Sequence, residues 1–301
     1  MPSFALSPAP PLEFDHTLAA LAHFPASAVT RRLQAGGFRQ AWRPAPGADP
    51  RLVTVRALGT VERPRLRVGV DGTLAEGERA AIAGTLERAL ALDLDVRPLE
   101  QVDDPAFAPV LAALRGYHPP RFTTPFEAAC WTLVRQRTPH RFAEATMARI
   151  VEALGAYAGG GDAGFRLFPE PADLGDASRP VLLAATNNTR KVDRLVAAGR
   201  AFTGIEVEWL WTASYEEGYR WLLSVPGMGP WSAEFVLQRG LGRFERVPWT
   251  DTAALEAISR VYTAGFRIAR GSARELAERY GWLQGLWLQY LKRYVYTLRL
   301  A

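Results

Sequence analysis

Residues 222–233, LLSVPGMGPWSA, predict a tight turn that leads into a helix. Gly227 and Gly229 permit positive φ, and another backbone can approach closely where only a hydrogen projects. Pro230 has the φ of a first helical residue and lacks the amide that would have no partner there. Apolar residues then recur at helical spacing until Gly240, a typical residue at a helix end. The sequence therefore predicts two helices joined by a glycine turn.

The start of the second helix also predicts an anion site. Its first amides have no partner within the helix, and the positive end of the helix dipole lies beside them. A glycine turn adds further outward-pointing amides, so the arrangement suits a phosphate. We expect the whole unit, two helices and their turn, at about 215–240.

The residues around this turn resemble the helix-hairpin-helix DNA glycosylase superfamily, and within it the bacterial 3-methyladenine DNA glycosylase II type. The likeness covers most of the second half of the chain and includes the hairpin, Pro125-Phe126-Glu127-Ala128, Gln136, Thr189-Arg190-Lys191 and Asp251. A glycine pair alone is a weak motif, whereas this set is much more specific. The resemblance implies a DNA glycosylase whose hairpin holds the DNA backbone.

Asp251 follows Pro248-Trp249-Thr250 and precedes a helix predicted over 253–261. Its local sequence alone favours a helix cap. The resemblance instead implies the catalytic aspartate, because its spacing from Pro226 matches that of the family. Loss of a base from deoxyribose develops positive charge on the sugar. One fixed carboxylate can stabilise that charge and accept a proton from water.

Four aromatic residues are candidates for the pocket of a base that is rotated out of the duplex. Trp231 and Phe235 lie four positions apart on one helix face. Trp131 lies off the apolar stripe of its helix, and Trp287 is a candidate from near the end of the chain. Aromatic rings attract an alkylated, cationic purine by about 0.5–2 kcal/mol per contact. The alternative for each residue is ordinary core packing.

The resemblance implies a second group of residues that contact DNA. Gln136 and Arg137 correspond to the loop that fills the gap left by the rotated base, where the family often has an apolar residue or glutamine instead of Arg137. The other candidates lie in the hairpin and at the start of another helix: Val225, Gly227, Gly229, Ser232, Arg190 and Lys191. The alternative for the basic residues is a solvated helix end, and for Arg137 a contact with phosphate alone.

The resemblance also implies an optional structural Na⁺ or K⁺ ion on the hairpin, held by the backbone carbonyls of Leu223, Val225 and Gly227. We expect that no cofactor is required. Cys130 is the only cysteine, which excludes an iron-sulfur cluster with four thiolates and an intrachain disulfide. The four histidines show no zinc spacing, so a catalytic metal is not expected.

The 301 residues, 48% of them hydrophobic, are enough for two domains. Three candidate strands and an amphipathic helix come first: 38–42, 52–55, 66–70 and 76–92. They predict an N-terminal α+β domain over 1–112, with an antiparallel sheet. Strand signals nearly vanish after Pro105, so we expect an all-α helix-hairpin-helix glycosylase domain over 113–301. Gly159-Gly160-Gly161-Asp162 reads as a surface loop within it.

Together these interpretations predict a monofunctional DNA glycosylase that removes N3- or N7-methylated purines by hydrolysis and leaves an abasic site, in base excision repair. Lyase-competent relatives carry a lysine where this chain has Trp231, so no abasic-site lyase activity is expected. Two alternatives remain open. One is a glycosylase for deaminated, oxidised or etheno bases, and the other is a hairpin protein that recognises damaged DNA without chemistry.

The expected partner is double-stranded DNA with damaged bases. A net charge of +5 and a pI near 9.6 permit a polyanionic partner. No apolar stretch approaches the roughly 20 residues of a membrane span, and the start lacks the pattern of a secretory signal. We expect a monomer in the bacterial cytoplasm, without membrane contact.

Overall fold

Five antiparallel strands form the sheet of the N-terminal part in a computed structural model that describes residues 1–158 and 164–299. They are β1 (Ser3–Leu6), β2 (Arg31–Gln34), β3 (Gly37–Trp42), β4 (Arg51–Thr60) and β5 (Arg63–Val70), in the order β1-β5-β4-β3-β2. Phe38 lies opposite Val55, and Val55 opposite Val68, so one face carries a row of buried apolar side chains. The predicted strands β3, β4 and β5 are confirmed, and the structure adds β1 and β2.

The N-terminal part also contains four helices: α1 (Phe14–Leu21), α2 (Ser27–Thr30), α3 (Glu76–Ala89) and α4 (Ala108–Ala113). Ile82 and Leu86 of α3 are fully buried in one cluster with the strand residues. The helix predicted over 76–92 is confirmed, although it ends at Ala89 because the following residues leave the helical conformation.

The rest of the described chain is mostly helical. Its helices are α5 (Pro125–Arg135), α6 (His140–Leu154), α7 (Arg179–Thr186), α8 (Thr189–Thr203), α9 (Val207–Thr212), α10 (Tyr215–Ser224), α11 (Pro230–Phe235), α12 (Thr252–Tyr262), α13 (Arg270–Glu278) and α14 (Gln284–Leu298). A π-helical segment, Val236–Gly240, continues α11. Within the described ranges, no helix combines the length and the apolar character that a bilayer crossing requires.

A two-stranded sheet interrupts the helical half. It pairs β6 (Tyr157–Ala158) with β7 (Phe165–Arg166), and the predicted loop Gly159–Asp162 between them lies outside the described residues. Ala158 and Phe165 are buried in one cluster with Ala41 and Leu52 of the large sheet. This pair corrects the all-α expectation for 113–301: apolar residues on both strands extend the packing of the first sheet.

The buried apolar residues form two main clusters that divide the chain differently from the predicted boundary at residue 112. One cluster joins the sheet and α3 to α5–α8 and the hairpin, through residues such as Val55, Phe126 and Leu222. The other joins apolar residues of 91–117 to α12, α13 and α14. The predicted boundary falls inside α4, because this helix packs against α14 rather than against the sheet.

A buried carboxyl group lies in the first turn of α5. Glu127 is 5% exposed, and its Oε2 accepts a hydrogen bond from the Thr123 amide at 3.2 Å. Burial raises the pKa of Glu127 from its ordinary 4.5 to about 7, although the Arg31 guanidinium acts in the opposite direction. Ionisation of Glu127 therefore opposes folding.

We predict that Glu127→Gln changes the pH dependence of stability. The pKa of Glu127 is higher in the folded than in the unfolded chain, so the wild type loses stability as pH rises from 4.5 to about 7. The shift corresponds to on the order of 3 kcal/mol in the free energy of unfolding. Urea unfolding at pH 5 and pH 8 measures the free energy of unfolding of both proteins. Relative to the wild type, the variant should be more stable at pH 8 than at pH 5. An equal difference at both pH values would contradict this account.

Candidate active site

The hairpin begins with a well-capped helix. Ser214 Oγ accepts a hydrogen bond from the Glu217 amide at 3.3 Å, and Glu217 Oε2 accepts one from the Ser214 amide at 2.9 Å, which fixes the start of α10. After α10, the Met228 amide donates to the Val225 carbonyl at 3.0 Å and closes the turn. Pro230 is the first residue of α11, as predicted. The hairpin therefore lies where the sequence predicts it.

Only one of the two turn glycines uses positive φ. Gly227 has φ +89°, and a Cβ there would lie 2.5 Å from Cδ of Arg194. Gly229 has φ −103° and ψ −177°, and a Cβ there would meet no atom within 4 Å. This corrects the expectation for Gly229, which has the extended backbone of a helix N-cap.

The loop between α5 and α6, residues 136–139, is bonded to the hairpin. Gln136 Nε2 donates to the Gly227 carbonyl at 2.8 Å and to Ser232 Oγ at 3.3 Å, while its Oε1 accepts from Arg194. Two predicted DNA contacts, Gln136 and Ser232, thus bond to each other, and the Ser232 side chain is buried. The loop and the turn lie side by side as a result.

The predicted basic residues divide into two kinds. Lys191 Nζ donates to the Val134 carbonyl and to Thr138 Oγ1, so it holds the loop instead of projecting into solvent. Arg137 is exposed within the loop with φ +51°, an uncommon conformation for a residue other than glycine. Arg190 is exposed in the first turn of α8. The two arginines are therefore accessible to a ligand.

A cavity of about 210 Å³ opens beside the hairpin. Three of the four predicted pocket residues line it, namely Trp131, Trp231 and Phe235. The rings of Trp231 and Phe235 lie 5.6 Å apart at 40°. Phe24 and Phe122 also line the cavity, and sequence reasoning did not identify them. The cavity thus offers several aromatic faces.

Trp287 is the predicted pocket residue that does not reach the cavity. It is fully buried, stacks on Tyr280 with ring centres 5.0 Å apart, and donates from Nε1 to the Tyr262 hydroxyl at 3.1 Å. Gln289 and Lys292 of the same helix line the cavity. Trp287 is corrected to a core residue, because residues two apart on a helix point in different directions.

Asp251 lies in the cavity wall just before α12. Its Oδ1 accepts from the Ala253 amide at 3.1 Å, and its Oδ2 forms an ion pair with Lys292 of α14. The Thr250 hydroxyl donates to Glu234, which ties this segment to the hairpin helix. The side chains of Asp251 and Lys292 keep 18% and 26% of their surface exposed. The carboxylate therefore caps a helix and stays accessible from the cavity.

Another side of the cavity is polar and carries a guanidinium. Arg239 Nη1 donates to Gln289 Oε1 at 3.0 Å, and Gln289 Nε2 donates to Gln238 Oε1 at 2.6 Å. The guanidinium carbon lies 5.2 Å from the ring centre of Phe24. Burial lowers the pKa of Arg239, and no carboxylate in the described part of the chain pairs with it. Arg239 is thus a cation at the cavity without a paired anion.

The hairpin carbonyls predicted to hold a monovalent ion are partly engaged. The Val225 carbonyl accepts from the Met228 amide, and the Gly227 carbonyl accepts from Gln136. Each of these carbonyl oxygens has a second lone pair, and the ion stays a prediction. Among residues 1–158 and 164–299, no group of three His, Cys, Asp or Glu side chains could hold a metal.

Sequence reasoning missed Lys292, Arg239 and Gln289. One signal was available for Lys292, because only two of the 36 Lys and Arg residues are lysines. For Gln289 no signal existed, since the sequence does not show which face of α14 meets the cavity. Nothing in the sequence distinguishes Arg239 from the many other arginines of the chain.

Comparison with known proteins shows a partial match by sequence. No family model matches the chain. A stretch of 141 residues, 44% of the chain, is 27% identical to the DNA-3-methyladenine glycosylase of Bacillus subtilis. The match spans 45% of that relative's length.

Solved structures match over almost the whole chain. The 3-methyladenine DNA glycosylase from Archaeoglobus fulgidus has a TM-score of 0.79 at 23% identity, over 99% of this chain and 100% of that chain. The Clostridium acetobutylicum 8-oxoguanine glycosylase/lyase in complex with double-stranded DNA has a TM-score of 0.72 at 17% identity, over 97% and 94%. The chain has the fold of the helix-hairpin-helix DNA glycosylases, and its predicted resemblance to that superfamily is confirmed.

We predict that the two turn glycines differ in their contribution to stability. Gly227→Ala forces a side chain into positive φ and against Arg194, so the free energy of unfolding should fall by about 1–2 kcal/mol or more. Gly229→Ala meets neither obstacle and should lose less than about 1 kcal/mol. Denaturant unfolding of both variants measures the difference. Equal losses would contradict the geometry of the turn.

Proposed function

We propose that the chain is a DNA glycosylase of base excision repair, which binds damaged double-stranded DNA, rotates one nucleotide into the cavity and hydrolyses its N-glycosidic bond. The observation that carries the proposal is the accessible Asp251 carboxylate in the wall of an aromatic cavity beside the hairpin. The glycosylases that share the fold support it. We further propose that the chain acts as a monomer in the bacterial cytoplasm.

The hairpin turn is the proposed contact for the DNA backbone. The first i→i−4 bond of α11 joins the Ala233 amide to the Gly229 carbonyl at 3.0 Å, so the preceding amides are open to a phosphate. Gly229 has no side chain to obstruct that approach. Exposed Arg190 adds positive charge on the neighbouring helix α8. Such contacts release counterions, so affinity falls as salt rises.

Arg137 is the proposed residue that fills the gap in the duplex. It is exposed in the loop that Gln136 bonds to the hairpin turn. A guanidinium can stack on bases and donate hydrogen bonds to their edges. Lys191 contributes indirectly. Its amine donates to Thr138 and so holds the loop that carries Arg137.

Asp251 is the proposed catalytic residue. The positive charge that develops on the sugar lies opposite its carboxylate, which also accepts a proton from the attacking water. Contacts from the Ala253 amide and from Lys292 hold its two oxygens in place. A carboxylate that is already oriented does not have to reorganise as the charge forms.

Alkylated purines are the first proposed substrate class. A purine methylated at N3 or N7 is cationic as a nucleoside, so it leaves without a strong general acid. The rings of Trp131, Trp231 and Phe235 offer stacking faces that attract such a cation. The relatives named as 3-methyladenine glycosylases support this class.

Arg239 favours a second class, neutral deaminated or oxidised bases that present a carbonyl oxygen. Its guanidinium has no paired carboxylate and lines the cavity, so it repels a cationic base. The same group donates hydrogen bonds to an oxygen acceptor. The charge of the released base therefore distinguishes the two classes.

We predict that Asp251→Asn strongly slows base release but does not prevent folding. Asparagine still caps α12, whereas it cannot carry the negative charge that stabilises the sugar cation. Single-turnover release from methylated DNA should fall about 100-fold or more, by analogy with the loss of one stabilising group in other active sites. Binding to duplex with an abasic-site analogue should persist. Release by the variant at the wild-type rate would contradict the role of Asp251. No release by the wild type would leave only a DNA-binding protein.

We predict that Gly229→Ala separates binding from stability. Its added methyl meets nothing in the free chain but lies where a phosphate would approach, so the affinity for DNA should fall at least fivefold. Gly84→Ala in α3, which also meets no atom within 4 Å, serves as the matched control and should bind as the wild type does. Fluorescence anisotropy at fixed salt measures both. Equal affinity of the two variants would place the DNA elsewhere.

We predict that Arg239→Gln shifts the preference between substrate classes. Loss of the cation should raise the ratio of 3-methyladenine release to hypoxanthine release about tenfold or more, since a hydrogen bond from a charged group contributes about 1.5–3 kcal/mol. Chromatography of bases released from matched duplexes gives this ratio. A ratio equal to that of the wild type would show that Arg239 does not discriminate between the two classes of base.

A further inference from the structure

Lys292 places a primary amine in the cavity, in contact with the carboxylate of Asp251. The absence of a lysine at Trp231 predicts that the hairpin supplies no amine. The structure supplies one from α14 instead, in the lining of the same cavity as Trp231. An amine and a carboxylate therefore meet at the point where the proposed reaction takes place.

The identity of this residue is informative because the chain hardly uses lysine. Of its 36 Lys and Arg residues, two are lysines, and the other one, Lys191, is bonded to the loop. Arginine forms ion pairs with carboxylates at least as well, and it stays charged at all accessible pH values. Only lysine can lose its proton and become a nucleophile. An ion pair alone does not explain the choice of lysine at position 292.

We propose that Lys292 forms an imine with the abasic sugar that remains after base removal, and that this imine leads to strand cleavage. The inference rests on the proposed function, because that sugar is the product of the glycosylase reaction. A C1′ atom that lies against the Asp251 carboxylate also lies within reach of the amine bonded to it. Lys292 would then touch the reacting atom directly.

The step balances without any oxidant or reductant. The open form of the abasic sugar carries an aldehyde at C1′. Lys292 passes its ammonium proton to the Asp251 carboxylate, and the neutral amine adds to the aldehyde. The aldehyde oxygen takes that proton from Asp251 and one from the nitrogen and leaves as water, so a protonated imine remains and Asp251 is again a carboxylate. Loss of a proton from C2′ to a base such as Asp251 forms the C2′–C3′ double bond. The C3′–O bond then breaks, with the phosphate as leaving group. Water finally hydrolyses the imine and restores the amine of Lys292.

Borohydride trapping tests the proposal on duplex DNA that already contains an abasic site, so it does not depend on base release. Hydride reduces the imine to a stable secondary amine that links protein and DNA. The wild type should form this covalent product, and peptide mapping should find the sugar on Lys292 and not on Lys191. Lys292→Arg keeps the positive charge but cannot form an imine, so trapping should fall at least tenfold. The affinity of each variant for the abasic duplex is measured in parallel.

The outcomes separate this inference from the proposed function. No trapped product from wild type that binds the abasic duplex, trapping on Lys191, or undiminished trapping by Lys292→Arg would each overturn the role of Lys292. Release of methylated purines could stand in all three cases. Trapping on Lys292 without any base release would instead support imine formation by Lys292 and overturn the glycosylase proposal. A wild type that does not bind abasic duplex would overturn both.

Discussion

The ion pair between Asp251 and Lys292 is the contact on which the candidate site depends. It joins the start of α12 to α14 in the cavity wall, while the Ala253 amide holds the other carboxylate oxygen. The Thr250–Glu234 bond connects the same segment to the hairpin helix. A charged group at a cavity wall keeps its orientation only if its partners are themselves fixed. The fold meets that condition with one contact from each of three helices. These contacts come from Lys292 of α14, the Ala253 amide of α12 and Glu234 of α11.

The hairpin turn and the loop at 136–139 form a second unit through Gln136. Its amide nitrogen bonds to Gly227, and Arg194 covers Gly227 while bonding to the amide oxygen of Gln136. Lys191 holds the other end of the loop. The proposed backbone contact and the proposed gap-filling residue are therefore mechanically linked. A shift in one would move the other.

Local patterns predicted much of this architecture. Alternation of apolar residues located β3, β4 and β5, and the glycine turn followed by Pro230 located the hairpin. Local patterns do not show where distant segments meet: α4 packs on α14, and the two buried clusters do not divide at residue 112. Spacing alone could not show that Trp287 turns into the core while Lys292 turns into the cavity. Side-chain direction on a buried helix depends on its neighbours, which a single sequence does not reveal.

A crystal structure of the protein with duplex DNA that carries a tetrahydrofuran abasic-site analogue tests the central claim most directly. The account predicts that the analogue sugar lies in the cavity against the Asp251 carboxylate and within reach of Lys292. A flanking phosphate should meet the amides beside Gly229, and Arg137 should occupy the gap in the duplex. DNA bound on another face, with the cavity facing solvent, would contradict it.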